Sequence, residues 1–177
     1  MPLTIEHLQG EAAREVLGED YVSLYLNTRA EPPYNSGPLY NRDRFLDRTS
    51  RQIEVPGFEL VSARDGERLI GFAFGFPMAA GRWWRGDTTP APDEVLPAEK
   101  FLVIELNVAA EERGKGYGRR LLDELLGGRA EPWATLLSTP HAPAHDMYEH
   151  LGWDIVGTNR PAPDAEIADV MLLKLGN

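Results

Sequence analysis

Cysteine is absent from the 177 residues. Disulfides, thiolate nucleophiles and zinc–cysteine centres are therefore excluded. No stretch approaches the roughly 18 consecutive apolar residues that a membrane helix needs. The first residues, MPLTIEHLQGEAAREV, carry charges where a secretory leader requires an apolar run, so the expected location is the cytoplasm. Basic residues are scarce. Eighteen Lys and Arg stand against 28 Asp and Glu, for a net charge of −10. A chain this acidic has no general attraction for DNA, RNA or an anionic membrane surface. Cationic small molecules are its more natural guests. Internal repeats and low-complexity segments are also missing.

What is present is a hydrophobic fraction of 42%, enough for a core and too high for a disordered chain. The length suits one domain over 1–177. The first third reads as helical. Val16, Leu17, Tyr21, Leu24 and Tyr25 recur near helical spacing, with Gly18 as a break. Residues 31–38 form a Pro- and Gly-rich loop, and residues 39–53 suit a second helix with Phe45 and Leu46 inward. The period then changes to two. Residues 58–64 and 69–76 read as a hairpin across Asp65-Gly66. On the returning strand Ile70, Phe72, Phe74 and Phe76 share one face. Gly71, Ala73 and Gly75 share the other, which predicts a close neighbour there.

Residues 77–100 are irregular and rich in Pro, Gly and acids, a length that marks functional or mobile loops. Phe101 to Val108 is the best central strand, apolar except for Glu105 and Asn107. A helix follows from about Gly116 to Leu126, ended by Gly127-Gly128. A short strand at 133–137, a short helix at 141–151 and strands at 153–157 and 167–175 complete a mixed α/β chain around one sheet.

The segment Val108-Ala-Ala-Glu-Glu-Arg-Gly-Lys-Gly-Tyr-Gly118 joins the central strand to the helix. Its three glycines let the backbone turn tightly and leave N–H groups uncovered where the helix dipole is positive. Such a place binds phosphate oxygens. Arg113 and Lys115 add positive charge, and Glu111 and Glu112 must then point away. A turn that only lets the helix pack closely is the alternative. The segment fits neither the P-loop spacing nor G-x-G-x-x-G.

Leu106-x-Val108 followed by Arg113-Gly-Lys-Gly-Tyr-Gly118 resembles the Arg/Gln-x-x-Gly-x-Gly/Ala signature of the GCN5-related N-acetyltransferases. Ala144-x-x-Met147-Tyr148-Glu149-His150-Leu151-Gly152-Trp153 is similar to that family's Ala-x-x-x-Tyr-x-x-x-Gly-Phe segment. The resemblance covers residues 58–175. It implies an α/β (α+β) fold with a mixed, mostly antiparallel sheet flanked by helices and a splayed central strand pair. It also implies acetyl-CoA as acyl donor. The pantetheine arm would bond main chain near Leu106 and Val108. The diphosphate would sit on the amides of Arg113, Gly114, Lys115, Gly116, Tyr117 and Gly118. His141 falls where relatives carry an Asn that contacts the CoA arm, and this departure leaves the contact open. Tyr148 matches the tyrosine that protonates the departing thiolate, which suits a phenol titrating near about 10. An ordinary core tyrosine at helical spacing is the alternative.

A neutral amine must lose a proton as it attacks. Glu105, on an otherwise apolar strand, is the candidate base. A strand-end charge in solvent or paired with an arginine is the alternative. His145 and His150 read as surface residues. The acceptor would be bound by the helical segment 1–57 and by the insertion 77–100, where Trp83 and Trp84 offer an aromatic wall. Asp87, Asp93 and Glu94 lean toward a cationic amine. The expected function is acetyl transfer to a primary amine of a small molecule by direct attack in a ternary complex. With no Cys, an acetyl-cysteine route is closed. A non-catalytic acyl-CoA sensor, another acyl-CoA donor and a protein amine are the alternatives. No metal, nucleic acid or membrane partner is expected, and a homodimer is left open.

Overall fold

The structure, a computed structural model, describes residues 3–176. In chain order the elements are strand β1 (Leu3–Gln9), a 3₁₀ segment (Gly10–Leu17), helix α1 (Glu19–Arg29), helix α2 (Arg42–Gln52), strands β2 (Glu59–Asp65), β3 (Arg68–Met78), β4 (Asp87–Thr88) and β5 (Lys100–Val108), helix α3 (Tyr117–Leu126), strand β6 (Trp133–Ser138), helix α4 (His145–His150) and strands β7 (Asp154–Arg160) and β8 (Ala168–Lys174). The chain divides into two compact units. One comprises Met1–Phe76 with Val103–Gly127, the other Pro77–Leu102 with Gly128–Asn177.

In the first unit the strand order is β1-β2-β3-β5. β1 and β2 are antiparallel from Leu3↔Asp65 to Gln9↔Glu59, and β2 and β3 from Glu59↔Gly75 to Asp65↔Arg68. The apolar face predicted for β3 is buried as expected. Phe72 and Phe74 join Ala13, Val16, Tyr21, Tyr25, Phe45 and Phe58 in one cluster. Tyr21 meets Phe72 edge-on at 5.2 Å, and its hydroxyl lies 2.7 Å from Ser62 Oγ, so the polar tip of a buried ring is satisfied. The small-residue face also has its close neighbour. A Cβ on Gly71 would lie 2.9 Å from the Asn107 carbonyl oxygen and 3.0 Å from Leu121 Cδ1. Leu121, Leu122 and Leu125 are buried on α3, while Asp123 is exposed.

In the second unit the order is β5-β6-β8-β7-β4. β5 and β6 run parallel, but their ladder has only three pairs, from Lys100↔Trp133 to Leu102↔Thr135. β6–β8, β7–β8 and β4–β7 are antiparallel. The sheet is mixed and mostly antiparallel, as expected. The insertion 77–100 is tied down. Gly81 N–H donates to the Leu96 carbonyl at 2.7 Å, Val95 is fully buried, and β4 pairs with β7. Lys100 is buried at the start of β5. Its Nζ donates to the Leu96 carbonyl at 3.1 Å, and burial lowers its pKa.

Two segments differ from the sequence reading. Leu3–Gln9 is a strand, not part of a helical first third, and residues 10–17 are 3₁₀ rather than α. Seven residues with apolar groups at Leu3, Ile5 and Leu8 fit either period, and pairing with β2 decides between them. Gly18, extended at φ −73°, ends the 3₁₀ segment and starts α1.

Gly71→Val is expected to lower stability by about 1–3 kcal/mol in urea unfolding, because the contact with Asn107 is backbone and cannot yield. A second expectation concerns His7, whose Nδ1 lies 3.1 Å from Glu59 and Nε2 2.8 Å from Glu124. Glu59 and then Glu124 raise its pKa above the ordinary 6.5. A raised folded value means that the stabilisation is complete below about 6.5 and is lost as pH rises through the folded value. His7→Ala should therefore lower the melting temperature at pH 5.5 and leave it nearly unchanged at pH 9.

Candidate active site

β5 ends at Val108, and the Ala109 N–H donates to the Ile70 carbonyl at 2.9 Å, which fixes the start of the following loop to β3. One 3₁₀ turn (Ala110–Glu112) leads to Gly114 at φ +78° and Gly116 at φ +85°. Both lie in the left-handed region, where glycine alone is at ease. Gly116 precedes α3 with no side-chain cap and no acid in the first turn. The N–H groups of residues 114–119 have no hydrogen-bond partner among the described residues. A Cβ at Gly114 or Gly116 would meet nothing within 4 Å, so the face is open. Unpaired amides, a positive helix end and free space are together what an anion needs.

The charged side chains of this loop are engaged with each other and with neighbours. Arg68 donates to Glu111 at 2.6 Å and to Glu112 at 2.8 Å, and Lys115 donates to Glu112 at 2.8 Å. Lys115 and then Arg68 lower the Glu112 pKa. Its own backbone N–H and then Arg68 lower that of Glu111. Arg113 grips Glu31 through two bonds of 2.6 and 2.8 Å. Arg113 and Lys115 thus already have counter-charges, and the main-chain amides are the unpaired donors. A cavity of about 220 Å³ beside the loop is lined by Asp20, Ser23, Asn27, Glu31 and Glu111. Its three carboxylates are paired with Arg64, Arg113 and Arg68.

Leu106 and Val108 are half-buried on β5 and alternate with buried Glu105 and Asn107. Glu105 has the arginine pairing that the sequence left as its alternative. Arg29 Nη2 donates to Glu105 Oε1 at 2.7 Å, and Asn107 Nδ2 to the same oxygen at 3.1 Å. Arg29 Nη1 donates to Asn107 Oδ1 at 2.7 Å and to Thr28 Oγ1 at 2.9 Å. The side chains of Arg29 and Glu105 are 14% and 8% exposed, so this ion pair is largely out of water.

In the second unit, Tyr148 is buried on α4 and meets Trp153 edge-on at 5.9 Å. Its carbonyl accepts from the Trp153 N–H at 3.0 Å, closing the helix at Gly152. His141 is exposed in the turn after β6, and His150 is exposed. His145 is not a surface residue. It is 5% exposed, with Nε2 2.8 Å from Asp169 and Nδ1 3.2 Å from Glu149. Its ligand atoms and those of Asp146 and Glu149 lie within 4.8 Å of one another. Trp83 and Trp84 are half-buried and anchored. The Trp83 indole N–H donates to the Thr89 carbonyl at 3.1 Å, and that of Trp84 to Thr135 Oγ1 at 3.1 Å.

Sequence reasoning missed Arg29, Arg68 and Asp169. Each pairs with a residue far along the chain, and nothing local distinguishes it from a solvated charge. Asn107 did stand out as a polar residue in an apolar strand, but its partner did not.

No curated protein matches the chain in sequence. Several solved structures share its fold. The PaiA N-acetyltransferase from Thermoplasma acidophilum, in complex with coenzyme A, is 15% identical over 99% of this chain and 100% of its own, with a TM-score of 0.63. Ard1 from Thermoplasma volcanium is 16% identical over 99% of both chains, at 0.63. An aminoglycoside 6'-acetyltransferase type Ii is 19% identical over 97% of this chain and 96% of its own, at 0.62. A sequence profile of the Acetyltransferase (GNAT) family matches residues 17–153, most of the chain, including the glycine loop and Tyr148. The chain belongs to this family of acetyl-CoA-dependent N-acetyltransferases.

Proposed function

We propose that the chain acetylates a primary amine of a small molecule by direct attack while acetyl-CoA and amine are bound together. The observation that carries this reading is the open run of unpaired amides from Gly114 to the start of α3, shaped to take a diphosphate. The main chain near Leu106 and Val108 takes the pantetheine arm, and His141 donates to it. In support, the β5–β6 ladder stops at Leu102↔Thr135 while β5 runs on to Val108, so that this part of β5 lacks β6 as a ladder partner. When bound, acetyl-CoA supplies the acetyl group as a thioester.

The chain's own residues move the protons. The amine nitrogen forms the new C–N bond as the C–S bond breaks, and its proton passes to Glu105. The electron pair leaves on sulfur, which takes the proton held on the Tyr148 phenol oxygen. Solvent then restores both groups. Trp83 and Trp84, each held by its indole N–H, wall the acceptor, and the acidic residues Asp87, Asp93 and Glu94 favour a cationic one. The reading treats 1–177 as one acetyltransferase domain in the cytoplasm. Its support for the latter is that, among the described residues, no helix is long and apolar enough to cross a membrane.

A thiol-release screen with acetyl-CoA against amino acids, polyamines and aminoglycosides tests the reaction. CoA binding with no turnover on any amine would favour a sensor instead. Two substitutions test the loop. By isothermal titration, Gly116→Val should weaken CoA binding at least about tenfold, since it strains a left-handed position and covers the amides. Lys115→Ala should weaken it no more than about threefold, because an exposed, already paired lysine contributes little. Tyr148→Phe should lower kcat about a hundredfold or more with CoA affinity almost intact, as loss of a general acid does.

A further inference from the structure

We infer that Arg29 is the positioning residue for Glu105. Its guanidinium dictates which carboxylate oxygen is left to take the acceptor's proton. The inference rests on the proposed role of Glu105 as base and goes beyond it. Arg29 is held as a planar plug. Its Cζ lies 4.6 Å from the centre of the Tyr25 ring and 4.7 Å from that of Tyr34. Burial disfavours its charge, but the Glu105 carboxylate opposes this, and its pKa is raised. Burial and then the Glu105 charge push the Tyr25 phenol up to about 12, so the ring under the guanidinium stays neutral.

The fork then has fixed targets. Nη2 takes Glu105 Oε1, and Nη1 takes Asn107 Oδ1 and Thr28 Oγ1. Those bonds orient the Asn107 amide, whose Nδ2 makes the second bond to Oε1. Oε1 is thereby used twice, while Oε2 has no hydrogen bond among the described residues and is the oxygen left for a proton. A buried ion pair is a poor source of stability, since desolvation consumes most of its attraction. A fork that reaches three acceptors while lying against two rings is instead suited to fixing orientation, and a lysine cannot reproduce it. The tyrosine slot is also already filled by the chain's own cation, so a cationic acceptor must be held elsewhere.

The test compares Arg29→Lys, Asn107→Ser and Glu105→Gln with the parent. The measurements are kcat on the leading amine of the thiol-release panel, CoA affinity by titration, and melting temperature. Arg29→Lys, which keeps the charge but loses the fork, should lower kcat about tenfold or more while CoA affinity stays within about twofold. Asn107→Ser, which removes one bond to Oε1, should give a smaller loss, about threefold, and keeps the test readable if changes at Arg29 unfold the chain. Parental kcat in the folded Arg29→Lys and Asn107→Ser variants, with turnover lost in Glu105→Gln, would overturn the positioning role alone. Parental turnover in Glu105→Gln would overturn the base assignment, and this inference with it.

Discussion

An α-helix cannot satisfy its first N–H groups from within, and α3 leaves that deficit unfilled. No side chain caps it, no acid stands in its first turn, and two left-handed glycines fold the preceding backbone out of the way. The rest of the first unit holds this arrangement in place. β3 carries a glycine so that α3 and the end of β5 approach closely, and the Ala109–Ile70 bond sets where the loop begins. A helix start left in this state keeps main-chain donors open to an anion without a dedicated cation, which is what the proposed diphosphate site requires.

The charges around that helix start are paired with one another. The chain is strongly acidic, and two glutamates lie next to the open amides of the glycine loop. Arg68, at the start of β3, neutralises both, and Lys115 assists at Glu112. Arg113 is held by Glu31, just beyond α1. What the loop leaves open is therefore main-chain dipoles rather than formal charges. Binding through such dipoles loses less to salt than a cluster of free cations would.

The parts of the structure legible in the sequence were those fixed by local patterning. The alternation of Ile70, Phe72 and Phe74 against Gly71 and Ala73 gave both the core face of β3 and its close neighbour. The spacing of Arg113 to Gly118, with Tyr148 beyond it, identified the family and the candidate loop. The parts that were not legible depend on pairing across the fold. Leu3–Gln9 is too short for its period to speak, and only β2 makes it a strand. Arg29 and Glu105 are 76 residues apart, and Arg68 and Glu111 are 43 apart. Nothing within a window of sequence marks these arginines as different from those in solvent. His145 looked like a surface residue of a short helix because its partner Asp169 lies on a strand much later in the chain.

The path of the chain has a consequence for how the protein is assembled. It leaves the first unit after Phe76, returns at Val103 in the middle of β5, and leaves again after Gly127. No single cut frees either unit, because each is completed by a segment from the far side of the other in sequence. Neither half of the gene product is a self-sufficient module, and synthesis must pass residue 127 before the first unit has all its parts. Contacts that wait on such distant segments are slow to form. The glycine loop between β5 and α3 lies inside that late-arriving segment, so it finds its packed surroundings only after residue 127 has joined them.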